Sequence, residues 1–289
     1  MREFKALAII IAVVGVIYWG VEPLAHSVFH PAKAPADYTF ADVKDIQVTL
    51  KGNAKAGKTL VEDNCAGCHN TKTPESELKA RNADGVMGPD LDTMGYLYAP
   101  EFLTAFLKDP LKATLLAQKL KGREDVYQMS SLAGTLDDQQ IADIVAYLQS
   151  IAPKEMSNRE VFVDACSRCH DVKYNGINGL KGIKVATPEK LVKEYLGAPA
   201  PDLSTMYRSR GEHYLALFIN DPQKMLPGAS MPRIGLNQKA EHQVLAYMES
   251  IADTKKEERE SLGIKLMIFC AIMAVLAYLW KCKIWREVH

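Results

Sequence analysis

The chain has 289 residues, of which 35 are basic, 35 are acidic and 48% are hydrophobic. A formal net charge of zero gives no support to nucleic-acid binding, which usually requires a basic excess. The ordinary hydrophobic content argues against intrinsic disorder, and the length favours about two domains.

An uncharged apolar segment lies near the N-terminus, at residues 6–21. A membrane-spanning helix needs about 20 mostly apolar residues, so the run from Phe4 to Val21 is at the short end of the range. A cleaved signal peptide is the alternative. Because the apolar core of a signal peptide has only about 7–15 residues, the length favours a retained anchor.

Apolar residues recur at helical spacing in four segments between the two ends, and no segment alternates with the period of two that a strand would show. The segments predicted to be helical are residues 101–108, 138–151, 213–220 and 238–251. Asp137 and Asp138 suit the start of one helix, and Asn237 suits the start of another. Gly and Pro concentrate in predicted loops at residues 81–100, 176–188, 197–202 and 227–235. The pattern predicts an all-α fold.

A second apolar run extends from Leu262 to Trp280, interrupted by Lys265. Its length and its basic exit favour a spanning helix over a buried core helix. The basic residues at the outer ends of the two runs are Arg2, Lys5, Lys281, Lys283 and Arg286. Because positive charge is retained on the cytoplasmic side, both termini are predicted to be cytoplasmic, and the region between the spans is predicted to be outside.

Four of the six cysteines occur in two copies of one motif, Cys-Ala-Gly-Cys-His at 65–69 and Cys-Ser-Arg-Cys-His at 166–170. C-x-x-C-H is the attachment sequence of c-type haem. A four-thiolate zinc site, dithiol redox centres and structural disulfides are alternatives, but none requires a histidine after each pair. Two covalent haem c groups are therefore predicted. The attachment residues are Cys65, Cys68, Cys166 and Cys169, and the iron ligands are His69 and His170.

The two halves of the chain share more than this motif. Residues 88–94 match 200–206, residues 101–110 match 213–222, and residues 146–152 match 246–252. The offset between matched segments varies, which indicates a tandem duplication with altered loop lengths. The predicted divisions are an anchor at 1–30, a first copy at 31–153, a second copy at 154–260, and an anchor with a tail at 261–289.

These motifs resemble the class I cytochrome c fold, in which a methionine ahead of the last helix is the distal iron ligand. Met231 lies in Pro-Gly-Ala-Ser-Met-Pro, which is similar to the family's ligand loop, and Met225 is its rival. Met129 holds the corresponding place in the first copy but lacks the Pro-Gly. The second candidates are Met94 and Met206.

In the same family, the proline of a Pro-Asp-Leu motif accepts a hydrogen bond from the proximal imidazole. Pro89 and Pro201 match that proline, so the resemblance implies that each orients the histidine of its own copy.

The second copy also resembles the haem domain of the cytochrome c subunit of cytochrome bc complexes. The similar residues are Ala-Pro-Asp-Leu-Ser at 200–204 and Tyr-Arg-Ser-Arg-Gly at 207–211, and an anchor follows the haem domain in both. The resemblance implies that Arg208 and Arg210 lie near haem propionates, since guanidinium pairs well with carboxylate. Two solvated surface arginines are the alternative.

The resemblance implies a di-haem electron-transfer subunit of a bacterial quinol–cytochrome c oxidoreductase, not catalytic by itself. The expected partners are cytochrome b, the Rieske iron–sulfur subunit, and a soluble cytochrome c or terminal oxidase. The expected location is the bacterial inner membrane, in a dimeric complex with periplasmic haem domains. A di-haem subunit of a haem-copper oxidase is one alternative, although such subunits usually end after the second cytochrome domain. A stand-alone membrane-tethered electron shuttle is the other.

Overall fold

The computed structural model describes residues 2–29, 35–69, 88–124, 127–173 and 189–288. The chain divides into two compact units, residues 1–36 and residues 37–289. Within the described ranges the regular structure is helical, and β pairing is limited to isolated bridges such as Tyr98 with Leu236. The prediction of an all-α fold is confirmed.

The first unit is one long helical run. Helix α1 (Arg2–Val16) leads through a π-helical turn (Ile17–Val21) into α2 (Glu22–Phe29). The π turn ends two residues before Pro23, which has no N–H to donate and whose ring would clash in the interior of a regular α-helix. The N–H of Glu22 instead reaches back to the Ile17 carbonyl. The helix therefore continues past Val21, and residues Glu3–Phe29 are long and apolar enough to cross a membrane.

The first copy contains three longer helices in the described residues, α3 (Ala54–Asn64), α4 (Pro100–Lys108) and α5 (Asp138–Ile151). Its shorter turns are Ala41–Ile46, Leu91–Thr93, Met94–Leu97, Pro110–Ala113 and Gln128–Leu132.

The second copy contains α6 (Asn158–Cys166), α7 (Glu189–Leu196), α8 (Glu212–Asn220) and α9 (Gln238–Ala252), with short helices at Met206–Arg210 and Pro222–Met225. Helix α10 (Lys256–Val288) follows, and its span Lys256–Arg286 is also long and apolar enough to cross a membrane.

The four helices predicted from apolar spacing all form, with ends within one residue of the prediction, and side-chain caps mark the starts of α5 and α9. Asp137 forms a capping box with Gln140 at the start of α5. The Asn237 side chain accepts from the Ala240 N–H at the start of α9.

The predicted loop at 81–100 is wrong at residues 91–97, which form two helical turns. These turns depend on packing rather than on local sequence. Gly95 lies so close to α5 that a Cβ there would be 2.5 Å from the Leu148 carbonyl oxygen. The predicted loop at 176–188 lies outside the described residues.

In both copies, the helix before the cysteine motif packs on the last helix of that copy, α3 on α5 and α6 on α9. In the first copy Gly57 allows backbone contact, because a Cβ there would lie 2.0 Å from the Asp143 carbonyl oxygen. In the second copy an aromatic pair fills the crossing, with the Phe162 and Tyr247 ring centroids 4.9 Å apart. The same crossing is therefore built with different side chains.

The two copies share one hydrophobic core. A short segment of the second copy runs along the first. The Asn237 N–H donates to the Leu97 carbonyl at 2.9 Å, and Leu236 bridges Tyr98. Gly235 has a φ of 79°, and a Cβ there would lie 2.2 Å from the Phe102 ring. Close approach and backbone conformation both require glycine at this position.

Arg233 joins the same interface by a set of polar contacts. Its side chain is only 4% exposed. Its two terminal nitrogens donate to the Asp42 carboxylate at 3.0 and 2.7 Å, and its Nε donates to the Asn220 carbonyl at 3.0 Å. Its backbone N–H donates to the Thr114 carbonyl at 2.9 Å. One residue thus ties the second copy to two parts of the first.

Gly235→Ala is expected to destabilise the protein more than Gly134→Ala. Gly134 has a φ of 75°, and no atom would lie within 4 Å of a Cβ added there, so its substitution tests backbone conformation alone. That conformation costs about 1–2 kcal/mol for a residue with a Cβ. At Gly235 the overlap with Phe102 adds about 1–3 kcal/mol. Thermal unfolding of the purified full chain measures the difference, and equal losses for the two variants would contradict the interface.

Candidate haem-binding sites

The first cysteine motif begins where α3 ends, at Cys65. The N–H groups of Cys68 and His69 both return to the Cys65 carbonyl, at 3.1 and 3.0 Å, so the motif closes into a tight turn. Cys65 and His69 are buried, and Cys68 is exposed. This turn places both thiols and the imidazole on one short piece of chain.

The imidazole of His69 is oriented by a backbone carbonyl. Its Nδ1 lies 2.9 Å from the Pro89 carbonyl oxygen. A carbonyl oxygen only accepts, so Nδ1 carries the hydrogen and Nε2 keeps its lone pair. Burial lowers the pKa of His69, which favours the neutral ring. A neutral imidazole with a free Nε2 is the form that binds a metal.

Gly88 makes this arrangement possible. A Cβ at residue 88 would lie 2.6 Å from Nδ1 of His69 and 2.8 Å from the Cys68 carbonyl oxygen. The chain that brings Pro89 to the imidazole therefore has no room for a side chain at the preceding position.

A cavity of about 270 Å³ opens beside this motif. Cys65, Cys68 and His69 line it together with both methionine candidates of the first copy, Met94 and Met129. The apolar and aromatic residues of its wall include Leu91, Leu103, Phe106, Tyr127 and Ile144. Two thiols, an imidazole with a free lone pair and thioether sulfur in one apolar cavity fit the attachment of haem c.

The second motif repeats the first in its geometry. The His170 N–H donates to the Cys166 carbonyl at 3.0 Å, and Nδ1 of His170 lies 2.8 Å from the Pro201 carbonyl oxygen. Burial lowers the pKa of His170 as it does that of His69. Ala200 stands where the first copy has Gly88, so this copy accommodates a methyl group at that point.

The methionine loop of the second copy is fixed by Gln223. Its Nε2 donates to the Ala229 carbonyl at 2.7 Å, and its Oε1 accepts from the Gly228 N–H at 3.0 Å. Met231, at the end of this loop, is partly buried against the shared core. Met225 is also partly buried.

Arg208 and Arg210 are both exposed on the short helix Met206–Arg210. The Arg210 guanidinium carbon lies 5.4 Å from the centre of the Tyr214 ring. Their pairing with haem propionates stays a prediction.

The thiols do not have the properties that the alternative sites require. All six cysteines are described, and none is disulfide-bonded. Burial raises the pKa of Cys65 to about 11 and that of Cys166 to about 12, whereas reactive dithiols have a lowered pKa. Among the described residues, no three His, Cys, Asp or Glu side chains form a cluster suited to a metal ion. These observations count against thiol redox centres and a four-thiolate zinc site.

The first cavity also contains residues that the sequence did not assign to it. Arg168 of the second motif lines it, and so do Pro232, Arg233 and Ile234, which follow Met231. The available signal was the contrast between Arg168 and Gly67, which occupy the same place in the two motifs.

Comparison with known proteins assigns the first site. Residues 54–152 match the family model described as Cytochrome c. The chain contains a cytochrome c domain. This domain implies covalently bound haem c.

Two further similarities cover parts of the chain. A Cbb3-type cytochrome c oxidase subunit CcoP from Azospirillum sp. (strain B510) is 32% identical over 115 residues, which are 38% of this chain and 34% of that protein. The chain thus spans about a third of the length of this curated relative. A solved chain of a hyperthermophilic respiratory Complex III is 24% identical, with a TM-score of 0.33 over 46% of this chain and 75% of that chain.

Proposed function

We propose that the chain is a membrane-anchored di-haem cytochrome c that carries electrons within a respiratory complex. The observation that carries this proposal is the repeated histidine geometry. The second motif follows a helix, turns back on Cys166 and presents His170 to a proline carbonyl at 2.8 Å, as the first does with His69 at 2.9 Å. Because the first copy is a cytochrome c domain, the same arrangement in the second supports a second haem.

Each copy supplies a set of residues with separate tasks. The cysteine thiols attach the porphyrin, the histidine Nε2 binds the iron, and the Pro89 or Pro201 carbonyl fixes the ring. Met129 and Met231 are the proposed distal ligands. Haem c supplies one-electron transfer, and histidine–methionine ligation raises its reduction potential.

The proposed electron donor is the Rieske iron–sulfur protein of a quinol–cytochrome c oxidoreductase, and the acceptor is a downstream cytochrome c or an oxidase. The similarity of residues 200–211 to bc-complex subunits and the apolar helix α10 after the second copy support this route. The proposed location is a bacterial inner membrane. The basic residues at the outer ends of both apolar helices support cytoplasmic termini and periplasmic haem domains.

A second candidate is a cytochrome subunit of a haem-copper oxidase. The relative from Azospirillum is a subunit of a cbb3-type oxidase, and this favours such an assembly. The two candidates differ in the proteins that the chain contacts, while the haem chemistry is the same in both.

Gentle solubilisation of the native membrane, with identification of co-purifying subunits, separates the two routes. We expect cytochrome b and a Rieske protein to accompany the full chain, and a visible spectrum with both b- and c-type haem. An oxidase core in their place would establish the second candidate. Recovery of the chain alone under the same conditions would indicate a membrane-tethered shuttle.

The number of haems can be measured by intact mass. The denatured full chain is expected to carry two covalent haems, and the Cys166→Ala/Cys169→Ala variant one, because thioether bonds survive denaturation. Cys270→Ala/Cys282→Ala is the matched control, since both of these cysteines lie in the exposed helix α10, and it should keep two haems. A wild-type mass with one haem would contradict the di-haem proposal.

Met231→Ala is expected to lower the midpoint potential of the second haem, because loss of the methionine ligand removes the sulfur that favours reduced iron. Met225→Ala should leave that potential unchanged. If the second haem receives electrons first, the Met231 variant also blocks reduction of both haems by quinol in the intact complex. Rapid reduction of the first haem in that variant would disprove this order, and a drop in potential confined to Met225→Ala would reassign the ligand.

A further inference from the structure

The middle of the second cysteine motif is more buried than the middle of the first. Ser167 is only 3% exposed and Arg168 is partly buried, whereas Gly67, which corresponds to Arg168, is exposed. Cys169 packs against a small cluster that includes Leu116, Leu120 and Tyr127 of the first copy. The two motifs therefore have different surroundings, although their internal geometry is the same.

The Arg168 side chain lines the first cavity, together with His69, Tyr127 and Met129. These three side chains belong to the first copy, whereas Arg168 belongs to the second, so the cavity receives a positive charge from outside its own copy.

The Nε of Arg168 is buried and has no hydrogen-bond partner in the protein. A buried N–H group of a cation is costly to leave unpaired, so an acceptor within the cavity is expected. Arg233 lines the same cavity, but its terminal nitrogens and its Nε donate to Asp42 and Asn220. Each side-chain nitrogen of Arg233 therefore has a partner, whereas Nε of Arg168 has none.

We propose that Arg168 is supplied by the second copy to control the haem of the first copy. The Nε–H would donate to a haem carboxylate, which is the acidic group that guanidinium binds best. A fixed positive charge beside the haem stabilises the state that holds one more electron, so it raises the midpoint potential. Docking of the two copies would then set the potential of the first haem.

This inference rests on haem attachment in the proposed function and is independent of the electron route. Redox titration of the purified full chain, with Arg168→Gln and Arg168→Lys, tests it. We expect Arg168→Gln to lower the equilibrium constant for reduction of the first haem about tenfold. This corresponds to a fall of about 59 mV in its midpoint potential, because one electron is transferred. Arg168→Lys should retain most of the potential. Arg159→Gln removes an exposed charge from helix α6, which precedes the motif, and should change the potential of neither haem.

The first haem is identified as the one retained in Cys166→Ala/Cys169→Ala, which keeps Arg168. Redox-difference infrared spectra report the carboxylate directly, and a propionate band should shift in Arg168→Gln. If that variant fails to retain haem, Arg168→Met provides the uncharged side chain. An unchanged first-haem potential, equal shifts in the Gln and Lys variants, or a larger shift at the second haem would overturn the inference. A wild-type chain without haem would overturn the proposed function itself.

Discussion

The buried guanidinium of Arg233 is the contact on which the pairing of the two copies depends. It satisfies its donors on Asp42 and Asn220, while its backbone N–H binds Thr114, so two parts of the first copy and one of the second meet at a single residue. A buried cation is costly unless it is paired and hydrogen-bonded, and here the paired carboxylate of Asp42 is itself partly exposed to solvent. These contacts of Arg233 hold in place the segment that runs from Met231 to Gly235, which lies against the Phe102 ring.

The interface therefore does more than join two similar domains. Residues 232–234 and Arg168 of the second copy complete the wall of the first cavity, and side chains of the first copy pack over Cys169. A duplicated unit is usually expected to keep each of its sites within its own copy. Here, the cavity of the first copy is lined by side chains from both copies. On the proposed role of Arg168, the midpoint potential of the first haem therefore depends on docking of the copies.

Much of this structure could be predicted from the sequence, because the signals are local. Asp137 and Asn237 mark helix starts by their caps. His69 and His170 each follow directly after the second cysteine of a motif, so the sequence alone places each imidazole beside its two thiols. The turns at 91–97 could not be predicted, because contact between Gly95 and α5 stabilises them. The role of Arg168 was missed for the same reason. Its position in the motif permits any residue, and only the packed structure shows where its side chain lies.

The covered position of the second motif has a consequence for the assembly of the protein. Cys169 packs against a cluster that includes Leu116, Leu120 and Tyr127 of the first copy. On the proposed attachment at Cys166 and Cys169, the thioether bond at Cys169 would lie at the interface between the two copies. Haem attachment to the second motif and docking of the copies are therefore coupled steps in the assembly of this chain.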